Sequence, residues 1–66
     1  MKIRISKEDD ALYLRLNDAA TIIESEEVES GIILDFDAEG EVVGIEVLRV
    51  SERSADALES ILLQTA

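Results

Sequence analysis

The stretch Gly31-Ile32-Ile33-Leu34-Asp35-Phe36-Asp37-Ala38-Glu39-Gly40-Glu41-Val42-Val43-Gly44-Ile45-Glu46-Val47-Leu48 decides the fold. Ile32, Leu34 and Phe36 alternate with Ile33, Asp35 and Asp37. A polar break containing Gly40 follows, and then a second apolar run, Val42, Val43, Ile45 and Val47. Two period-2 runs around a short turn read as a β-hairpin. A three-residue loop over 38–40 would pair Asp37 with Glu41 and set two carboxylates opposite each other. It would also place Val43, Ile45 and Val47 on the Asp35/Asp37 face. An even loop pairs Asp37 with Val42 and Phe36 with Val43, and gathers Ile32, Leu34, Phe36, Val43, Ile45 and Val47 on one face. A one-residue slip exchanges faces, so the even loop is expected. The opposite face then carries Ile33, Asp35, Asp37, Val42, Gly44 and Glu46. That mixture predicts partial burial, with a second subunit as one source of cover. Gly44, opposite Asp35 in mid-strand, marks a bulge or a close approach.

Upstream, Ile3 and Ile5, then Leu12, Leu14 and Leu16, alternate around the polar stretch 6–10, with Tyr13 and Arg15 turned to the other face. This predicts two more strands and a turn. The acidic segment 24–29 reads either as an exposed edge strand or as part of a long loop. Downstream, Ala55, Leu58, Ile61, Leu62 and Thr65 recur at helical spacing, with Ser51 or Ser54 as the N-cap and Asp56 in the first turn. Leu63 falls off that stripe. The expected architecture is α+β: a small antiparallel sheet of four or five strands over 1–50, with one C-terminal helix over 51–66 lying on one of its faces. Residues 1–66 read as one domain.

Composition narrows the chemistry. Sixteen acidic and six basic side chains give a net charge of −10, with no His, Cys, Pro or Trp. Zinc sites, thiol nucleophiles, disulfides and His-based dyads are excluded. Such a surface repels nucleic-acid backbones and anionic lipids, so neither is expected as a partner. At 66 residues the core is small, and no disulfide reinforces it. Self-association, as a homodimer, is the expected staple. With no apolar h-region after the basic start and no run of membrane-span length, the chain is expected to be soluble and cytoplasmic.

Two strings carry a resemblance: Asp10-Ala11-Leu12-Tyr13-Leu14-Arg15-Leu16, and Gly31 to Asp37 continuing through Gly40-Glu41-Val42-Val43-Gly44-Ile45-Glu46-Val47-Leu48. Together they resemble a prokaryotic family of small proteins, the domain of unknown function numbered 2283, over roughly residues 2 to 50. The resemblance implies a compact β-rich domain, and it brings no established activity, cofactor or catalytic residue. Members are sometimes encoded beside small toxin-like proteins, which implies an antitoxin-type role as one option.

Three constellations invite a chemical reading. Asp35, Asp37, Glu39, Gly40 and Glu46 nearly spell a calcium loop, but both flanks alternate as strands where that loop needs helices. An acidic turn is the expected reading, with a weak divalent-cation site at Asp35, Asp37 and Glu39 as the rival. Paired carboxylates, Asp35 with Asp37 or Asp9 with Asp10, lack a substrate-sized pocket in so short a chain and read as solvated acids. The run Glu24, Glu26, Glu27 and Glu29 reads as a solvated edge that discourages aggregation, or as a docking strip for a basic protein. Tyr13 and Arg15 are candidate anchors at such an interface. No nucleophile–base pair and no phosphate-binding glycine loop is present, so an enzyme is not expected, and neither is a cofactor. The functional expectation is a non-catalytic, self-associating interaction module that binds a small basic partner, with Asp35, Asp37 and Glu46 adding to its electrostatics. A purely structural oligomer without a ligand is the remaining alternative.

Overall fold

The computed structural model describes residues 1–53. Five strands form one antiparallel sheet: β1 (Lys2–Ser6), β2 (Ala11–Arg15), β3 (Glu24–Glu29), β4 (Ile32–Phe36) and β5 (Val42–Leu48). Their spatial order is β1-β2-β5-β4-β3. A short helix, α1 (Val50–Arg53), follows β5. The small α+β fold is the one the alternation predicts. The segment 24–29 is a strand at the sheet edge, exposed along its whole length. The helical stripe from Ala55 to Thr65, the Ser54 cap and Leu63 lie outside the described residues.

The hairpin combines both registers weighed from the sequence. At the turn, Gly40 N–H donates to the Asp37 carbonyl (3.1 Å) and Asp37 N–H to the Glu41 carbonyl (3.0 Å). The loop is therefore 38–40, with Gly40 at φ 80°, a left-handed position that costs glycine little. Further along, Asp35 faces Gly44, Leu34 faces Ile45 and Ile32 faces Val47, as the even register requires. The two registers meet at an irregularity where Phe36 pairs with Val42 rather than Val43. One extra residue on β5 absorbs the slip. The expected pairs Phe36–Val43 and Asp37–Val42 are thus corrected, while the expected apolar face survives beyond the bulge.

Cross-strand partners share a face, so the registers sort the sheet into two sides. Ile3 pairs with Leu14, Ile5 with Leu12, Leu14 with Ile45, Leu12 with Val47, and Ile45 with Leu34. That side is aliphatic across β1, β2, β5 and β4. Lys2, Arg4, Tyr13, Arg15, Gly44, Glu46, Asp35 and Ser25 occupy the other. Among the described apolar residues only Val43 and Val50 are buried, and Ile3 remains 44% exposed.

The start of α1 is not capped by Ser51, as the sequence suggested. Asp10, in the β1–β2 turn at φ 52°, accepts from Ser51 N–H (2.9 Å) and Ser51 Oγ (2.6 Å). Its carbonyl accepts from Val50 N–H (3.0 Å). A residue 41 positions away therefore satisfies the first free amides of the helix. At the other pole, Arg49 donates to Ser30 Oγ (2.8 Å) and Arg53 to the Ser30 carbonyl, tying the end of β5 to the β3–β4 turn.

Candidate functional site

The polar face is organised around Gly44. On β5 it sits opposite Arg15 of β2 on one side and Asp35 of β4 on the other. Having no side chain, it leaves a gap through which Tyr13 reaches over β5. The Tyr13 hydroxyl donates to Asp35 Oδ2 (2.7 Å), and Ser25 Oγ on β3 donates to Asp35 Oδ1 (2.6 Å). Arg15 Nη1 donates to the Tyr13 hydroxyl oxygen (3.4 Å), while its other nitrogens hold the Asn17 and Ala20 carbonyls. One chain of hydrogen bonds therefore crosses the sheet from β2 to β3. A Cβ on Gly44 would collide with the Tyr13 hydroxyl and lie 2.8 Å from Asp35 Oδ2.

Asp35 is consequently not the solvated acid the alternation suggested. It is 8% exposed, with both carboxylate oxygens bonded. Charge-assisted bonds of this kind offset the cost of removing a carboxylate from water. At Asp35, where partial burial was expected with a second subunit as one source of cover, the chain's own Tyr13 and Ser25 contact the carboxylate. Tyr13 is correspondingly half-buried and engaged rather than a free anchor. Its pKa is raised, first by burial and then by the Asp35 bond, with Arg15 pulling the other way.

The remaining candidates lie apart. Asp37 spends Oδ1 on the Glu39 amide (2.9 Å) and the Glu41 amide (3.0 Å) of its own turn. Glu39 is exposed at the tip, and Glu46 faces Tyr13 and Ile33. Among the described residues, no three acidic side chains gather closely enough to hold a metal ion. Glu24, Glu26, Glu27 and Glu29 line β3, which among the described residues has a neighbouring strand on one side only. Glu27 turns back to accept from Gly31 N–H (3.0 Å).

Two open grooves score the polar face. One of about 490 Å³ is lined by Lys2, Arg4, Tyr13, Arg15 and Asp18. The other, about 400 Å³, includes Arg4, Asp9, Tyr13, Asp35 and Glu46. Sequence reasoning missed the Tyr13–Asp35–Ser25 linkage. The signal for it was Gly44 opposite Asp35, with the only tyrosine on the same face one strand away.

These strings, strands and spacings have a counterpart. A family model described as a protein of unknown function, DUF2283, matches residues 2–51. The chain belongs to that family. No curated protein and no solved structure matches it. The DUF2283 match spans all five strands and the start of α1, so the Gly44 gap, Asp35 and the acidic edge all fall within the family's domain. No helix among the described residues is long and apolar enough to cross a membrane.

Proposed function

We propose that this DUF2283 chain is a non-catalytic, cytoplasmic protein-interaction module that self-associates and binds a small basic protein in the manner of an antitoxin. The observation that carries the reading is β3. It is an open edge strand, exposed throughout, bearing four glutamates and no cation. Among the described residues no strand pairs with its outer side, so that side can accept an additional strand, and its carboxylates select for Lys and Arg in the incoming segment. The same charges reject a second β3, because like charges directly opposite are destabilising. An edge that refuses its own copies and accepts basic segments suits a binding strip, beyond a simple guard against aggregation. Asp35, Tyr13 and Arg15 serve this function indirectly, by holding β2 and β3 in one rigid sheet. Glu46 and Asp37 add negative potential around it.

The test is purification of tagged protein from its own host under gentle conditions, followed by native mass measurement. A small basic species at fixed stoichiometry is expected, and its affinity should fall steeply from low to high salt. Glu24→Gln with Glu26→Gln should slow association more than it speeds dissociation. An affinity indifferent to both salt and these substitutions would sink the proposal.

A further inference from the structure

The aliphatic side of the sheet poses the sharper question. Ile3 and Ile5 of β1, Leu12 and Leu14 of β2, Ile45 and Val47 of β5, and Ile32 and Leu34 of β4 share it by register. None of them is buried; all are half-buried or exposed. Strands at a spacing of roughly 4.8 Å, each rising about 3.3 Å per residue, make this face about 400 Å² in projection. Contiguous apolar patches of a few hundred Å² mark contact surfaces in soluble proteins.

We infer that this face is the self-association surface: a second copy of the chain packs against it sheet to sheet, about a two-fold axis near Ile45. The inference rests on the self-association in the function proposed above and adds its location. Three observations select this occupant. First, residues 54–66 of the sequence lie outside the described structure. At ~1.5 Å per residue and about 10 Å across, even a fully helical segment of that length covers roughly half the face.

Second, the symmetric alternatives are opposed by charge. Joining two β3 edges sets four glutamates against four, and joining two β1 edges sets Lys2 and Arg4 against their copies. Third, the opposite face cannot serve. Tyr13, Asp35 and Ser25 close its centre with their own hydrogen bonds, and Lys2, Arg4, Arg15 and Glu46 surround them. An isologous, self-complementary patch needs no charge matching, and the aliphatic face is the one broad surface of that kind among the described residues. Aligned packing of two twisted sheets, about 10 Å apart, buries it on both copies. On β3 the same side of the sheet carries Glu24, Glu26 and Glu29, opposite Phe36, Leu34 and Ile32, so the contact is confined to β1, β2, β5 and β4 and β3 stays at the rim of each copy.

The absence of cysteine makes a direct test available. Ile45→Cys places a single thiol on the aliphatic face. Glu46→Cys, the next residue, places it on the polar face as a control. Leu14→Cys is a second reporter on the aliphatic face, should Ile45→Cys disturb packing. The full chain is treated with a bis-maleimide reaching about 10 Å, the separation of stacked sheets, and native mass is measured in parallel. A mass twice the 7.3 kDa chain is expected, with covalent dimer from Ile45→Cys or Leu14→Cys and none from Glu46→Cys.

A dimer cross-linked through Glu46→Cys alone would keep self-association and overturn its location. A ladder of larger species abolished by Arg4→Gln would overturn it in favour of head-to-tail joining of β1 to β3. A monomer whose Ile45→Cys thiol resists labelling would show the face covered by residues 54–66. A monomer with a reactive thiol would remove self-association itself, and with it that part of the proposed function.

Discussion

Gly44 is the position where a single methyl group should matter most. An added Cβ would displace both the Tyr13 hydroxyl and the Asp35 carboxylate, so Gly44→Ala is expected to destabilise by about 1–3 kcal/mol, the usual range for overpacking. Tyr13→Phe removes one bond to a buried carboxylate and leaves Ser25 in place. Its cost should be smaller, about 1–2 kcal/mol, by urea unfolding. The two losses should not add, since both act through Asp35.

Tyr13 also gives a pH signature. Burial and the Asp35 bond raise its pKa, so the folded chain keeps the phenol protonated where the unfolded chain has ionised it. The stabilisation is whole below the unfolded value of about 10 and is lost as pH rises through the folded pKa. As the only tyrosine, it can be followed by tyrosinate absorbance without interference. A midpoint at or below the ordinary tyrosine value would contradict the hydrogen-bonded geometry.

Among the elements, the strands were legible because they alternate, and the alternation survives folding. Leu12 and Leu14 fall opposite Val47 and Ile45 because both strands keep period 2. The hairpin turn was legible only in part. Glycine at position 40 suits the left-handed residue of the turn, and Gly44 marked a bulge or a close approach, but nothing in the pattern places the extra residue of β5 at Val42–Val43, where an odd loop meets an even register. The cap on α1 was hidden for a different reason. A helix start satisfied from 41 residues away leaves no local signature, so Ser51 looked like the cap and is instead the donor. Asp10→Ala should therefore unlatch α1 from the β1–β2 turn. We expect a loss of about 0.5–2 kcal/mol, with faster hydrogen exchange at Val50 and Ser51. Exchange unchanged at those amides would assign the helix start to another partner.

Across the whole molecule, the proposed function depends on what each boundary of the sheet refuses. The β3 edge is acidic, the β1 edge basic, and the polar face closes on itself, which leaves the aliphatic face for a like partner and β3 for an unlike one. Charge composition gives the sign expected of the proposed partner. The location of the acids could not be read from their number, because it depends on strand order, and β3 reaches the edge only through the pairing of β2 with β5. Salt should thus separate the two associations: high ionic strength releases a basic partner while the aliphatic contact persists. Native mass measured across a salt series would show whether the two respond separately.

The strand order also has a kinetic consequence. β1 and β2 form one local hairpin, and β3, β4 and β5 form a local meander, so among the described strand pairs only the β2–β5 seam joins segments distant along the chain. Loop closure makes such a seam the slow, late event in folding. Tyr13 reaching Asp35 spans that seam, and its bond should form after the rate-limiting barrier. Stopped-flow traces of Tyr13→Phe are then expected to show unfolding accelerated and refolding nearly unchanged, making this hydrogen bond a latch on the lifetime of the folded chain rather than a guide to reaching it.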